Sequence, residues 1–266
     1  MSTKIPQAYD KELYASWHNS CIPEDADIIA RLEKTREALK SSSSSSLAAL
    51  SQLLTQIKAI TEKECRVRFK GISQGQFLVP TSQFSEQPSN KGYDLLFKSS
   101  DSILEKLWRK NLRRSSNYAS LSNLQLEITD LLRTSVVAPT LGHAHLFAER
   151  LESWLEIVDA SDIETYLDEI DRVEVDMEAK LASGYFAYHI IVRVKSGLCI
   201  EVQIYSQLSE AWRSISHKLY ETKRLKEESL TTRAGSAEAR LVSLGHLLHL
   251  AECELDRLAV EFTKPQ

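Results

Sequence analysis

Two acidic residues, Asp130 and Glu201, each stand alone in an apolar stretch that has the residue types of a β-strand. A segment upstream of both carries closely spaced cations, namely Lys106, Arg109, Lys110, Arg113 and Arg114. Phosphoryl or pyrophosphoryl transfer requires such groups, because carboxylates hold magnesium and cations bind phosphates. Each feature alone also fits a solvated surface, since the outer faces of strands are routinely polar. The chemistry therefore depends on the elements that position these acids and cations.

The elements around Glu201 are two predicted strands. In "YFAYHIIVRV" every second residue is apolar, which leaves Tyr185 and His189 on the opposite face. After a turn at "KSG", the segment "LCIEVQIY" alternates in the same way and places Glu201, Gln203 and Tyr205 on one face. We expect the two strands to pair as a hairpin whose polar faces form one site.

The segment that follows, "QLSEAWRSISHKLYE", predicts a helix in which Arg213 and His217 share a face. Its predicted apolar stripe consists of Leu208, Ala211, Trp212, Ile215 and Leu219. Because His217 lies off this stripe, it is either a plain exposed side chain or a group that meets a ligand.

Helical periodicity also covers the N-terminal region from Pro23 to Lys63. A serine run, Ser41–Ser46, interrupts this region and predicts a flexible joint, because serine hydroxyls compete for backbone hydrogen bonds in a helix. The next segments favour a short strand at "CRVRFK" and a long loop over Gly71–Lys91.

The remaining segments mix helices and strands. A helix is predicted for "SSDSILEKLWRKNLRR" after a Ser or Asp cap, β structure for "LQLEITDLLRTSVV", and an amphipathic helix for "HAHLFAERLESWLEIV". The acidic stretch after these predicts a short helix and part of a strand. The last predicted helix, Ala237–Phe262, has an apolar seam at Leu241, Leu244, Leu248, Ala251, Leu255 and Leu258. Such a seam packs within the chain or forms an oligomer interface.

The composition narrows the class of protein. With 266 residues, 42% of them hydrophobic, the chain is long enough for a real core, and a net charge of -4 argues against wholesale nucleic-acid binding. Its 4 cysteines are far apart and predict neither a disulfide framework nor a zinc site, and we interpret His143 and His145 as surface or capping residues. No GxxxxGK[ST], GxGxxG, GxSxG or HExxH motif occurs, and no apolar stretch reaches the roughly 20 residues of a membrane helix. We expect a soluble cytoplasmic protein without a membrane partner.

Four segments occur in the order "KSSDSILEKLWRK", "ITDLLRTSVV", "GYFAYH" and "IEVQIYSQLSEAWRSISH". They are similar to the K-S-x-x-S-I-x-x-K-L-x-R-K motif, the aspartate-bearing strand, the G-Y-x-S-x-H motif, and the E-x-Q-I-R-T and W-x4-H motifs of one family. That family is the RelA/SpoT synthetase domain, which the chain resembles over about half its length. The domain transfers pyrophosphate from ATP to the 3′-hydroxyl of a guanine nucleotide and so makes the alarmone (p)ppGpp.

The resemblance implies a Mg²⁺-dependent pyrophosphokinase with ATP and GDP or GTP as its ligands. It implies that Asp130 and Glu201 hold the metal, or that Glu201 is the base that prepares the 3′-hydroxyl. The residues implied to bind the ATP phosphates are Lys98, Ser102, Lys106 and Arg109. The residues implied to bind the acceptor are Tyr185, His189, Gln203 and His217.

Several positions depart from the family pattern. Leu96, Ser135 and Tyr205 stand where the family has arginines. An arginine contact to phosphate is often worth about 1.5 to 3 kcal/mol, so the losses would weaken the use of ATP. The cations that could compensate are Arg133, Lys106 and Arg109.

Because both carboxylates are present, the sequence favours an active but divergent enzyme. One alternative is a toxic relative that makes adenine alarmones or pyrophosphorylates the 3′-CCA end of tRNA, with the basic segment on the tRNA backbone. Another is a catalytically degenerate nucleotide-binding module. The sequence has no His-Asp dipeptide, so the hydrolase half of the bifunctional relatives is not expected.

We expect an α+β fold, with a mixed β-sheet flanked by helices as in nucleotidyltransferases and helical extensions at both ends. The predicted parts are an N-terminal extension over 1–64, a RelA/SpoT-like synthetase domain over 65–223, and a C-terminal helix within 224–266. This last helix is expected to pack on the domain or on the partner subunit of a homo-oligomer.

Overall fold

The computed structural model describes residues 4–69, 75–87, 90–180, 184–225 and 235–263. Within these ranges the helices are Lys11–Cys21 (α1), Ile28–Ser42 (α2), Ser44–Arg68 (α3), Lys91–Leu95 (α4), Ser100–Asn111 (α5), Leu124–Glu127 (α6), Leu141–Glu152 (α7), Trp154–Ile157 (α8), Ala160–Glu169 (α9), Gln207–Leu225 (α10) and Ala237–Thr263 (α11). The strands are Leu132–Ala138 (β1), Ile170–Lys180 (β2), Tyr185–Val194 (β3) and Cys199–Ser206 (β4). None of the described helices has the length and apolar character of a transmembrane span.

The strands form one mixed sheet in the order β1-β4-β3-β2. Strand β4 is parallel to β1 and antiparallel to β3, which in turn is antiparallel to β2. The predicted hairpin between β3 and β4 is confirmed, and Gly197 in its turn has a φ of 85° that favours glycine. The prediction of an α+β fold with a mixed sheet flanked by helices is therefore confirmed.

One face of the sheet and the helices on it form the hydrophobic core. The inward side chains predicted from the alternation, among them Ile190, Val192, Ile200, Val202 and Ile204, are buried. Leucines of α3 and Phe147 of α7 belong to the same core cluster. Among the helices before residue 65, α3 contacts β2, whereas α1 and α2 contact α5, and α3 runs through position 65 to Arg68. The predicted domain boundaries stay predictions, and residues 226–234, after the second boundary, lie outside the described residues.

The serine run does not form the flexible joint that its composition predicts. Helix α2 ends at Ser42 and α3 begins at Ser44, so that only Ser43 interrupts the helices. The Ser43 hydroxyl donates a hydrogen bond of 2.6 Å to the Leu39 carbonyl, one turn earlier. The prediction was wrong because serine hydroxyls can bond back to the helix itself instead of opening it.

Ser46 gives this run a role that can be tested. Its side chain is buried, and its hydroxyl donates a 2.6 Å hydrogen bond to Glu169 at the end of α9. We expect Ser46→Ala to lower the free energy of unfolding by about 1 to 2 kcal/mol, because the buried side of the carboxylate loses its donor. Urea unfolding measures this, with Ser45→Ala at a neighbouring exposed position as the control. Equal stability of the two variants would contradict the assigned role.

One further expectation for this region is wrong, and a second, the long loop, holds for most of the residues described there. The segment "CRVRFK" continues helix α3 as far as Arg68 and is not a strand. Within the predicted loop, Leu78 forms an isolated bridge with Val137 and α4 begins at Lys91, while residues 71–74 and 88–89 lie outside the described residues. Tertiary contacts with β1 therefore order part of a segment whose composition indicates a loop.

Helix α10 turns a different face inward from the one its apolar stripe predicts. Trp212 is buried, but Leu208 and Ile215 are 40% and 62% exposed. The helix contacts β1, β3 and β4 on the sheet face that carries the predicted polar site. Because it covers a polar surface, it presents polar side chains such as Arg213 and the buried Ser216.

Helix α11 packs on the domain through small and polar residues. A Cβ atom on Gly245 would overlap the carbonyl oxygen of Gly184, so glycine is required for this contact between helix and strand. The Trp212 indole donates a 2.8 Å hydrogen bond to the Leu241 carbonyl, which fixes the start of α11 on α10. In the predicted leucine seam Leu255 is 53% exposed, so that packing within the chain does not use the whole seam. The homo-oligomer stays a prediction.

Candidate active site

Asp130 lies in a turn just before β1, and not on the strand where the sequence placed it. Helix α6 ends three residues earlier, at Glu127, and the chain must turn before it can join the sheet. An isolated bridge between Phe97 and Leu132, with a 2.8 Å hydrogen bond from the Lys98 amide to the Leu131 carbonyl, aligns the start of α5 with this turn. The backbone therefore brings Lys98 next to Asp130.

Asp130 is ion-paired with two of the predicted phosphate-binding lysines. Lys98 Nζ lies 3.0 Å from Asp130 Oδ2, and Lys106 Nζ lies 2.6 Å from Oδ1. Burial would raise the pKa of Asp130, but the two lysines outweigh it and hold the pKa at about 2. Burial lowers the pKa of Lys98, and the charge of Asp130 offsets only part of this effect. The cluster of Lys98, Asp130 and Lys106 thus contains an ionised acid at neutral pH.

The other residues predicted to bind ATP phosphates follow on α5. Ser102 lies in the first turn, where its amide donates to the capping hydroxyl of Ser99. Lys106 and Arg109 follow one and two turns later, at a spacing that puts them on the same side of the helix. Arg109 is already paired with Glu105, at 2.9 Å. All four residues predicted for ATP therefore lie on or directly before one helix.

A basic groove continues from Lys106 along the end of α5. Its volume is about 580 Å³, and it is lined by Lys106, Arg109, Lys110, Leu112, Arg113 and Arg114. Glu127 forms ion pairs with Lys110 and Arg114, at 3.3 and 2.8 Å. Part of the positive charge is therefore compensated, and the groove can still hold a polyphosphate because salt bridges near the surface exchange partners at small cost.

Three of the residues predicted to bind the acceptor, Tyr185, His189 and Gln203, form a second cluster with Glu201 on β3 and β4. Tyr185 Oη lies 2.9 Å from His189 Nε2, and His189 Nδ1 lies 2.7 Å from Glu201 Oε1. Because an ionised carboxylate only accepts hydrogen bonds, Nδ1 carries the hydrogen in this pair. The sheet register sets Gln203 directly opposite His189. The predicted grouping of these four residues on one face agrees with the structure.

Glu201 stays ionised although it is buried. Burial raises its pKa, but hydrogen bonds from His189 and Gln203 outweigh this effect, so that the pKa of Glu201 lies below its ordinary value. The charge of Asp130 acts in the opposite direction and raises the pKa of Glu201, so the two carboxylates are near enough to interact. Both predicted catalytic acids are therefore negatively charged in the same region of the protein.

Arg213 is a residue of this site that the sequence reasoning did not select. Its Nη2 donates a long hydrogen bond of 3.5 Å to Gln203 Oε1, and Tyr205 Oη donates to the same oxygen. The sequence did contain a signal for Arg213, because the helical spacing places it on the same face as the selected His217. His217 itself is exposed one turn further along α10. Gln203 thus links the acceptor cluster to a cation on the covering helix.

The three positions without the expected arginines have different surroundings. Leu96 is a core residue with 2% exposure, so it does not face the site. Ser135 is the β1 partner of Gln203, and Tyr205 belongs to the Gln203 network. Arg133, paired with Glu201 across the parallel strands, is exposed on the same sheet face. Two of the three positions therefore border the acceptor cluster.

The donor set fits Mg²⁺ that arrives with a nucleotide. Among the residues that the structure describes, no three or more His, Cys, Asp or Glu side chains are grouped to hold a metal. Mg²⁺ in nucleotide sites commonly takes only one or two carboxylates and completes its octahedron with phosphate oxygens and water. Asp130 and Glu201 are such a pair of oxygen donors. His143 is buried beside Thr140, the N-cap of α7, and the half-exposed His145 contacts Tyr188.

The ion pairs of Asp130 predict a specific loss of stability in acid. A pKa of about 2, below the ordinary 3.8, contributes stability above the ordinary value that is lost as the pH falls through the lower one. Between about pH 5 and pH 2 we expect the wild type to lose about 2 kcal/mol more unfolding free energy than Asp130→Asn. Urea unfolding over this range measures the difference. The same pH dependence in both proteins would contradict the paired cluster.

Comparisons with known proteins give weak likenesses. No protein-family model matches the chain, and no curated protein does. The small alarmone synthetase 1 from Bacillus subtilis is 18% identical with a TM-score of 0.46, and the match covers 82% of this chain and 96% of that one. The same enzyme bound to its product pppGpp is 17% identical over 94% of this chain and 99% of that one, with a TM-score of 0.48. A GTP pyrophosphokinase family protein from Streptococcus pneumoniae is 16% identical over 80% and 94%, with a TM-score of 0.44.

The names of these solved proteins, alarmone synthetase and GTP pyrophosphokinase, describe the same activity as the family that the sequence motifs resemble. Their identities are at most 18% and their TM-scores at most 0.48, which is too low to assign this chain to a family or an activity. The side chains of the chain itself must therefore carry any functional conclusion.

Proposed function

We propose that this protein is a pyrophosphokinase that transfers the β- and γ-phosphates of ATP to the 3′-hydroxyl of a guanine nucleotide. The observation that carries the proposal is a pair of side-chain clusters, one at the start of α5 and the turn before β1, the other on β3 and β4. Lys98, Asp130 and Lys106 offer an acid between two cations next to a basic groove. On β3 and β4, Tyr185 offers an aromatic ring, and His189 links this ring to the carboxylate of Glu201 through hydrogen bonds.

The donor side of the reaction is assigned to α5. Lys98 and Lys106 would exchange Asp130 for the phosphates of ATP, and Ser102 and Arg109 on the same helix would hold the remaining phosphate oxygens. The 3′-oxygen forms a bond to the β-phosphorus while the bond from that phosphorus to the bridging oxygen of AMP breaks. AMP leaves, and the hydroxyl proton is released to the solvent.

The acceptor side is assigned to β3 and β4. The Tyr185 ring is suited to stack on a purine, and His189, which bonds to both Tyr185 and Glu201, fixes the orientation of that ring. Mg²⁺, when bound by Asp130 and Glu201, would neutralise the developing charge on the transferred phosphates. The lowered pKa of Glu201 favours this ligand role over that of a base, since a general base works best with a pKa near the working pH.

The test is to incubate the purified protein with ATP, Mg²⁺ and GDP or GTP and to identify the products by mass spectrometry. We expect a 3′-pyrophosphorylated guanine nucleotide and an equal amount of AMP. Parallel reactions with adenine nucleotides, and with tRNA and γ-labelled ATP, identify an enzyme with a different acceptor. Absence of AMP formation with every acceptor would contradict pyrophosphate transfer.

A nucleotide-binding module without turnover is the second candidate. It is supported by Leu96, Ser135 and Tyr205, which offer no guanidinium, and by Asp130, which is ion-paired with both lysines of the donor side. Calorimetry distinguishes it from the enzyme, because tight binding of ATP or GDP without any product is expected only of the module.

A further inference from the structure

Arg213 places a guanidinium next to a position where the sequence lacks one. Tyr205 stands where the resembled family has an arginine, and its side chain is buried with 1% exposure. The guanidinium carbon of Arg213 lies 4.6 Å from the centroid of the Tyr205 ring, which is a cation–π contact. The positive charge at this place in the site is therefore supplied by α10 and not by β4.

The polar contacts of Arg213 leave it available to an anion. Nη2 donates to Gln203 at 3.5 Å and Nη1 to Glu210 at 3.3 Å, both at the long end of hydrogen bonding. Arg114, by contrast, donates to both carboxylate oxygens of Glu127 at 2.8 Å. The Arg213 side chain is 21% exposed, so part of it reaches the solvent. A phosphate would therefore replace weak contacts and not a strong ion pair.

The position of Arg213 relates it to the acceptor side. It contacts Gln203, which hydrogen-bonds to Glu201, which in turn accepts from His189. Lys98, which is predicted to bind the phosphates of ATP, is instead paired with Asp130. The two cationic groups thus belong to different halves of the site.

We propose that Arg213 binds a phosphate group of the acceptor nucleotide. This inference rests on the proposed function, because it needs the acceptor to bind along β3 and β4. The planar guanidinium presents parallel N–H groups that match two phosphate oxygens, and stacking on the Tyr205 ring holds that plane in a fixed direction. Arg213 is thus the residue that makes the site select a 5′-phosphorylated nucleotide over a nucleoside.

The experiment compares GDP with guanosine by calorimetry, with a non-hydrolysable ATP analogue at saturation to fill the donor side. The proteins are the wild type, Arg213→Ala and Arg213→Lys. The control is Arg257→Ala, which removes an arginine of α11 that is 69% exposed. We expect Arg213→Ala to raise the Kd for GDP about 10- to 100-fold and to leave the Kd for guanosine unchanged. Arg213→Lys should lie between, because lysine keeps the charge but not the planar fork.

Two results would overturn the proposal. One is an unchanged Kd for GDP in Arg213→Ala. The other is an equal loss for GDP and guanosine, which would mean that Arg213 shapes the pocket and does not read the phosphate. If Arg213→Ala fails to fold, Arg213→Lys decides alone, since only a phosphate contact makes its loss specific to GDP.

The outcome is separable from that of the proposed function. Binding of GDP needs no turnover, so a GDP-specific loss in a protein that makes no product would support the phosphate contact and refute the transfer reaction. Product formation with an unchanged affinity and KM for GDP in Arg213→Ala would refute the phosphate contact and support the transfer reaction. A wild type that binds no GDP would overturn both.

Discussion

Replacement of Asp130 by asparagine is expected to lower the rate of pyrophosphate transfer at least about a hundredfold and to leave the affinity for ATP equal or higher. The rate falls because the neutral amide is a poor ligand for Mg²⁺ and no longer offsets charge in the transition state. The affinity is maintained because Lys98 and Lys106 lose the carboxylate that competes with phosphate for both of them. Single-turnover rates and calorimetry with a non-hydrolysable ATP analogue measure the two effects separately.

The opposite changes in rate and affinity distinguish a metal-binding acid from a structural one. If Asp130 served only to hold the two lysines in place, its loss would disorder them, and ATP would bind more weakly. The matched control is Asp101→Asn. This substitution removes an exposed acid of α5 that pairs with Lys11. We expect the control to have wild-type rate and affinity. A weaker ATP affinity together with a nearly normal rate in Asp130→Asn would refute the catalytic assignment.

Glu201→Gln is expected to give the second large loss, again of about a hundredfold or more in rate. The glutamine amide can still accept the hydrogen bond from His189 Nδ1, so the ring keeps its orientation and the loss reports the missing charge. The pKa of Glu201 lies below the ordinary 4.5, and a carboxyl group is ionised above its pKa. The titration of Glu201 should therefore cause no change in the rate between pH 7 and about pH 5.

The control for this variant is Glu174→Gln on the edge strand β2, which β3 separates from β4. Glu174 pairs with Arg193 at 3.2 Å and is 43% exposed, so its substitution should leave the rate unchanged. Initial rates at saturating substrate over the pH range test both expectations. A rate of Glu201→Gln within a few-fold of the wild type would show that the charge of Glu201 is not required.

The acceptor cluster could be predicted from the sequence because strand geometry fixes it. Alternation in "YFAYHIIVRV" and "LCIEVQIY" determines which side chains share a face, and a tight turn leaves the two strands no partner nearer than each other. The contact of His189 with Glu201 follows from these local rules. No information from distant parts of the chain was needed.

The donor cluster could not be derived from such rules. Lys98 meets Asp130 only because Phe97 forms a bridge with Leu132, far along the chain, and periodicity says nothing about such a pairing. The two segments came together in the sequence analysis through the family resemblance alone. The β-rich residue types of "LQLEITDLLRTSVV", together with that resemblance, led the turn containing Asp130 to be read as part of a strand.

Helix α10 shows a different limit. Its spacing correctly grouped Arg213 with His217, but the rule that apolar residues face inward chose the wrong side of the helix. The surface under α10 is the polar row of β4, so the inward face must be polar too, and Ile215 is left in the solvent. The buried face of a helix that covers a polar site cannot be predicted from the sequence of that helix alone, because the surface beneath the helix decides which of its residues are buried.

The contact between Gly184 and Gly245 has a consequence for the acceptor tyrosine. Tyr185 follows Gly184 directly and begins β3, while Gly245 belongs to α11 near the other end of the chain. Because neither glycine has a side chain, main chain meets main chain with no deformable group between them. A sideways displacement of α11 would therefore be transmitted directly to the backbone beside Tyr185, so under the proposed function the position of the C-terminal helix would affect how a purine stacks on this ring.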